Sequence, residues 1–249
     1  MKFSIVTVAM NGAGTIEDAI DSVAAQTYGD VEHVIVDGGS TDGTVEIIKR
    51  HNGGIARWVS EPDRGIYDAM NKGITMATGD VIGMLNADDV YADERVLEDI
   101  ASSFAARGVD SCYGDLVYVD RKSGRVVRYW RAGECREGLF KKGWHPPHPT
   151  FFVRRAVYEK YGLFDQSLTI AADYEIMLRF LVRHRISAVY IPRVIVKMRD
   201  GGVSNRSIRN IVLANAECYL AWKRNGLAVS PMIAVRKPIS KLFQRRLFR

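Results

Sequence analysis

The chain has 249 residues, 47% of them apolar and 26% charged, the proportions of a globular protein, which exclude disorder throughout. No run reaches the roughly 18 consecutive apolar residues needed to cross a bilayer, and Cys112, Cys135 and Cys218 are too scattered for a disulfide framework or a zinc site. The formal charge of +6 does not mark a nucleic-acid binder: residues 223–249 hold eight Lys/Arg and no acid, and taking that +8 from +6 leaves about −2 for residues 1–222.

Taken in chain order, Phe3 to Met10 is an apolar run behind Lys2 with no small-residue cleavage site after it, so it is expected to be a buried strand and not a secretory leader. Strands are predicted at Ser4–Val8, Val31–Val36, Arg57–Ser60 and Val81–Leu85. Between them, Ile16, Ala19, Ile20, Val23 and Ala24 follow helical spacing, as do Ile66, Ala69, Met70, Ile74 and Ala77. Thr15 and Asp18 resemble a capping box at the first helix. Strand–helix alternation of this kind predicts right-handed βαβ units and a mainly parallel sheet, with ligands bound beyond the carboxyl ends of the strands.

Three polar loops are expected at successive strand ends. The strand ending near Asp37 runs into Gly38-Gly39-Ser40-Thr41-Asp42-Gly43-Thr44, where glycines permit a tight turn and the close approach of a ligand. An aspartate there can accept from a base N–H or a ribose hydroxyl; a plain loop with a helix cap is the other reading. Glu61-Pro62-Asp63-Arg64-Gly65 follows the next strand, and its arginine can meet a phosphate. Asn86-Ala87-Asp88-Asp89 follows the fourth. Adjacent carboxylates are costly unless a cation or strong donors neutralise them, and magnesium or manganese suits carboxylate and phosphate oxygens; an acidic cap before a helix over 92–107 is the alternative.

The second half is less regular. Ser111–Val119 and Arg125–Trp130 are predicted to form a hairpin around Lys122-Ser123-Gly124, followed by a Gly/His/Pro-rich loop from Gly143 to Pro149 and a strand at Thr150–Val153. A helix is expected from Asp173 to Arg183, where Asp173 or Glu175 could remove a proton from a hydroxyl or simply complement the first helical turn. A further helix is expected over about 205–225, and Pro231 and Pro238 punctuate the tail. His145 and His148 lack a third ligand, so acceptor contact or loop structure is preferred to zinc.

In order, Ser4-Ile5-Val6-Thr7-Val8, the segment from Asp37 to Thr44, Ser60 to Gly73 and Ala87-Asp88-Asp89 resemble the family 2 glycosyltransferases, and the Ser60–Gly73 stretch looks like their branch that builds bacterial surface polysaccharides. The resemblance covers roughly residues 1–205. It implies a GT-A fold, an α/β Rossmann-like architecture with a small β-hairpin region and a C-terminal helical tail. It implies a sugar moved, with inversion, from a nucleotide-diphosphate donor, uridine-linked by preference, to a glycan or polyprenyl-diphosphate-linked acceptor, with Mn2+ or Mg2+ as cofactor. Thr7 and Asp37 would sit at the base, Arg64 near base or diphosphate, Asp88 at ribose or metal, and Asp89 on the metal. Asp173 matches the catalytic base, and His148 and Glu175 would border the acceptor. The motif departs from the family's pattern in that Ala87 and Ala172 stand where acids are usual.

The expected division is a transferase domain over 1–222, with a donor half to about 110 and an acceptor half beyond, and a basic tail over 223–249. After Pro238, Ile239, Leu242, Phe243 and Leu247 fall on one helical face and Lys241, Arg245 and Arg249 on a second stripe, a pattern suited to an anionic membrane interface. A cytoplasmic chain lying peripherally on the inner face of the cell membrane is therefore expected. Two rival enzymes fit less well. A dinucleotide-binding dehydrogenase needs a third glycine where Glu17 stands, and a sugar nucleotidyltransferase needs a Gly-rich, Arg/Lys-bearing first loop. A non-catalytic module of the same fold would have no need of the acids.

Overall fold

The computed structural model describes residues 1–200 and 208–229. Four strands, β1 (Phe3–Ala9), β2 (Val31–Asp37), β3 (Arg57–Ser60) and β4 (Val81–Met84), alternate with helices α1 (Ile16–Ala24), α2 (Thr44–Arg50) and α3 (Ile66–Met76). They pair in parallel in the order β3-β2-β1-β4. Every residue of β1 is buried, as expected for a parallel strand covered on both faces. Helix α1 buries Ile16, Ala19, Ile20 and Val23; Ala24, expected on the same face, is exposed. The expected capping box is absent: the Thr15 hydroxyl donates to the Gly12 carbonyl at 3.3 Å, and Asp18 pairs with Arg199.

Helix α3 lies against β1 so closely that a Cβ on Gly73 would stand 2.2 Å from Val6 Cγ1. At the opposite edge from the strand ends, Glu32 is buried among the Ser4 hydroxyl, the Lys2 ammonium 2.7 Å away and the Thr78 and Gly79 amides. Burial pushes its carboxyl up, but these donors outweigh it and bring the pKa down to about 2.

The sheet continues from β4 through β8 (Phe152–Arg154), β6 (Ser111–Val119) and β9 (Ala188–Arg199) to β5 (Asp89–Tyr91), with β7 (Val126–Trp130) paired to β6. Seven helices flank it, counting α4 (Val96–Arg107), α5 (Arg155–Tyr161), α6 (Ala172–Leu178) and α7 (Ile208–Arg224) among the described residues. The β6–β7 hairpin forms as predicted, while α2, α5, β5 and β9 were not foreseen. Pro192 and Arg193 interrupt the apolar pattern of β9 and hide it; the register against β6 slips around them, from Gly114↔Ile191 to Asp115↔Val194, because proline cannot donate to the ladder. Strand β5 is three residues long and exists only by pairing with β9, so Asp89 begins a strand and not a helix cap. The helix expected from Asp173 to Arg183 is α6 followed by a π-helical turn over Arg179–Arg183. The amphipathic segment 231–249 and residues 205–207 of the helix expected over 205–225 lie outside the described residues.

Candidate active site

Register decides where the polar loops meet. Ala9 pairs with Asp37, Asp37 with Ser60, and Val6 with Met84, so the strands end at one edge. The loops there are tied together. The Asn11 amide donates to Ser40 Oγ at 2.7 Å, the Thr41 amide to Asn11 Oδ1 at 3.0 Å, and the Ala13 amide to Asp42 Oδ2 at 3.0 Å. Asn11 holds φ 51°, a left-handed conformation that asparagine tolerates better than most residues. Ala87 sits within 3.5 Å of the space above Gly12, and Asp63 lies directly over Gly38.

Asp37 is buried at this edge and organises the loop after it, accepting from the Gly39 and Ser40 amides at 3.1 and 2.9 Å, from the Ser40 hydroxyl and from Ser60 Oγ at 2.7 Å. Thr7 stands two residues short of the end of β1, fully buried, with its hydroxyl 2.8 Å from His33 Nε2. Burial brings the His33 pKa down to about 4, so the ring is neutral and the pair is interior.

Asp88 is half-buried and meets Arg121 from the hairpin turn, Nη2 to Oδ2, at 3.3 Å. Asp89 is fully buried; Asn86 Nδ2 donates to its Oδ2 at 3.0 Å, and its Oδ1 has no hydrogen-bond partner among the described residues. Burial, then the neighbouring Asp88 charge, push the Asp89 carboxyl well above the usual carboxylate range. A buried oxygen with unused acceptor capacity beside a second carboxylate is a site that suits a hard cation. Among the described residues no three His, Cys, Asp or Glu side chains gather as a ready cage. Magnesium-type sites commonly use one or two carboxylates and complete the shell with phosphate oxygens and water, which these two acids fit.

The second group of candidates is joined to the first by α3. Asn71 clamps Phe164 by two bonds of 2.9 Å, amide to carbonyl in each direction. Arg64, exposed, reaches Gln166 Oε1 at 3.0 Å. Tyr67 donates to the Ile170 carbonyl at 2.7 Å and lies 3.5 Å from Asp173 Oδ1. Its ring stacks on Phe164 at 5.7 Å, and Phe164 meets the buried His148 ring edge-on at 5.5 Å. Burial lowers the His148 pKa and the nearby Asp173 charge opposes that, which places the imidazole within electrostatic reach of the acid. Asp173 itself is part-exposed, and its Oδ1 also accepts the Tyr174 amide at 2.7 Å.

The loop carrying Asp173 is fixed from behind. Glu217 of α7 accepts from the Thr169, Ile170 and Ala171 amides, each at 2.8 Å. Glu175 points into the body, where Arg179 takes both its oxygens at 3.1 and 2.9 Å and Asn225 Nδ2 adds a third bond at 2.9 Å. Burial raises the pKa of the Tyr118 hydroxyl on β6, the Arg128 charge opposes that, and the charges of Asp89, Asp200 and Asp173 add to the rise. Arg128 covers that ring at 4.7 Å. Tyr67, Tyr118, Arg121 and Glu217 were not singled out from the sequence; Tyr67 lay inside a recognised segment, whereas nothing local marks the others.

The structure thus gathers Asp37, Asp88, Asp89 and Arg64 around the strand ends and brings Asp173 and His148 to the same side. Thr7 and Glu175 are turned inward. A cavity of about 490 Å3 elsewhere is lined by Ala92, Val117, Val126, Tyr129, Arg193 and Lys197, among others; none of the candidate residues borders it.

Known proteins match along most of this frame. The family described as Glycosyl transferase family 2 matches residues 4–172. A glycosyltransferase of Mycobacterium tuberculosis is 34% identical over 185 residues, covering 71% of this chain and 67% of its own. A PGL/p-HBAD biosynthesis glycosyltransferase of Mycobacterium bovis is 30% identical over 208 residues, covering 82% and 79%. In fold, the chain is similar to S. aureus TarS 1-349 in complex with UDP, at TM-score 0.64 and 18% identity over 87% of this chain and 65% of that one. It is also similar to a mannosyltransferase from Pyrobaculum calidifontis in complex with GDP-Man and Mn2+, at TM-score 0.67 and 18% identity over 97% and 69%.

Proposed function

This chain belongs to glycosyl transferase family 2, and from that premise we propose that it transfers a sugar, with inversion, from a uridine-diphosphate-linked donor to a glycan or lipid-diphosphate-linked acceptor of the cell envelope. One observation carries the reading. The fully buried Asp89, whose Oδ1 has no hydrogen-bond partner among the described residues, stands beside Asp88 just beyond the end of β4. The relatives' glycosyltransferase names and the UDP and GDP-Man complexes of the fold neighbours support it.

In this reading residues 1–110 bind donor and 111–222 acceptor. Asp37 with its loop frames the base, Arg64 approaches the diphosphate, and Asp88 the ribose. Asp89, with Asp88, would hold Mn2+ or Mg2+, whose charge offsets that on the diphosphate. Asp173 Oδ takes the proton of the acceptor hydroxyl as that oxygen bonds to the anomeric carbon, and the bond from that carbon to the diphosphate breaks on the opposite face. His148, kept neutral by burial, lines the acceptor side. Thr7, two residues inside the end of β1 and against His33, and Glu175, turned into the body against Arg179, are left out of the proposed site; Asp37, whose oxygens Ser40 and Ser60 already engage, acts there by shaping its loop. The basic segment 231–249 holds the protein peripherally at an anionic membrane; no helix among the described residues is long and apolar enough to cross one.

Calorimetric titration with UDP, GDP and NAD, each with and without Mn2+, tests the reading. Manganese-dependent binding of one nucleoside diphosphate, abolished in Asp89→Ala, is expected. Binding of NAD alone, indifferent to metal, would overturn it.

A further inference from the structure

We propose that the outward face of α7 docks this protein on an anionic phospholipid surface. The helix is two-faced. Inward, Glu217, Cys218, Ala221 and Trp222 are buried, and Trp222 Nε1 donates to Tyr174 Oη at 2.8 Å. Outward, Val212, Leu213, Ala216 and Leu220 follow one another at helical spacing and stay exposed among the described residues; Val212 is 63% exposed, and Leu213 and Leu220 are each 38% exposed. A contiguous apolar stripe on a soluble face marks an interaction surface, whereas single exposed apolar residues do not.

Charge selects the occupant. Arg209 lies one turn before the stripe and Lys223 one turn after it, both exposed, with Lys223 5.0 Å over the Tyr219 ring. The one acid of α7, Glu217, is turned inward and consumed by three amides. From Lys223 to the last residue the chain has eight cations and no acid. An apolar stripe bounded by cations and free of acid suits a bilayer interface carrying negative headgroups, each nearby cation adding attraction that salt screens. An apolar protein partner has no need of this charge pattern. The position also has a use. Glu217 grips the loop that leads to Asp173, so a membrane under α7 lies one layer from the acceptor side. The docking itself does not depend on the proposed reaction, and an inactive chain is expected to dock equally.

Sedimentation of the full chain with vesicles tests this, comparing phosphatidylglycerol-rich with pure phosphatidylcholine membranes. The wild type and Asp173→Asn are expected to bind the anionic vesicles alike, more weakly as salt rises, and the neutral ones poorly. Val212→Glu with Leu220→Glu, both exposed and so expected to leave the melting temperature unchanged, should weaken partitioning by about tenfold or more. Charge reversal of Arg245 and Arg246 should lower the affinity while the α7 effect persists. Three results would overturn the proposal: no binding of anionic vesicles by the wild type, wild-type binding by the α7 variant, or a lipid-free dimer that the α7 variant splits, which would make a second copy the occupant.

Discussion

Arg121, in the turn between β6 and β7, places Nη2 3.3 Å from Asp88 Oδ2 while its Nε donates to the Asp200 carbonyl at 3.1 Å. The turn that holds it is itself fastened, since Asp120 Oδ1 accepts the Lys122 and Ser123 amides and the Ser123 hydroxyl. A cation of the hairpin therefore sits on the outer member of the acid pair, where it competes with any metal that the two acids bind.

Removing that competitor should favour a metal ion. Arg121→Ala is expected to tighten Mn2+ binding, measured without nucleotide, by about two- to fivefold, the scale of a half-exposed ion pair. Unchanged or weaker binding would show that Arg121 does not contend for Asp88.

Two acids two residues apart on α6 should behave differently. Asp173→Asn is expected to lower turnover by about 10²–10⁴-fold, the usual contribution of a general base, and to leave nucleotide affinity nearly untouched. Glu175→Gln leaves Arg179 without its buried counter-charge and should cost about 3 kcal/mol of stability, with near-normal turnover per folded molecule. Turnover assays paired with denaturant melts separate the two. Normal turnover in Asp173→Asn sinks its assignment as the base.

Acid should unfold the protein in two windows. His33, at 6.5 in a free chain and about 4 when buried, takes a proton in the unfolded state first. Its contribution is complete above pH 6.5 and falls as the pH drops towards 4, by about 2 kcal/mol at pH 5. Glu32, lowered from 4.5 to about 2, acts in the same direction further down, its contribution lost as pH falls from 4.5 through 2. Urea melts at pH 7.5 and 5.0 should show a steeper loss in the wild type than in His33→Gln. Parallel losses would clear His33 of the effect.

Gly73→Ala pits helix propensity against packing. Alanine favours a helix by about 1 kcal/mol over glycine, yet its Cβ would press into Val6 of β1. Overpacking a core costs about 1–3 kcal/mol, so a lower melting temperature is expected. A raised one would mean that α3 can shift away from the sheet.

Much of the fold was legible because its signals are local. Period-two and period-3.6 patterning located β1, β2, β3, β4, α1 and α3, and glycine and acid punctuation marked the loops after Asp37 and Met84. Elements without such a signal went unread: β9 is broken by Pro192, and β5 is too short to carry a pattern. In the candidate site, the sequence pointed to Asp37, Asp88, Asp89 and Asp173, because acids at strand ends and at a helix start are visible in one dimension.

Which residues could carry the chemistry, and at which edge of the sheet they lie, can be read from the chain. Tertiary structure alone decided which of their atoms remain available. Thr7 and Glu175 look as eligible in the chain as Asp173, but His33, on the neighbouring strand, and Arg179 with Asn225 take up their polar atoms, and Asp37 is likewise engaged by Ser40 and Ser60. Among the described residues, Asn86 donates to one buried oxygen of Asp89 and no hydrogen bond reaches the other. His33 and Asn225 lie 26 and 50 residues along the chain from the groups they engage, and a local pattern carries no record of them.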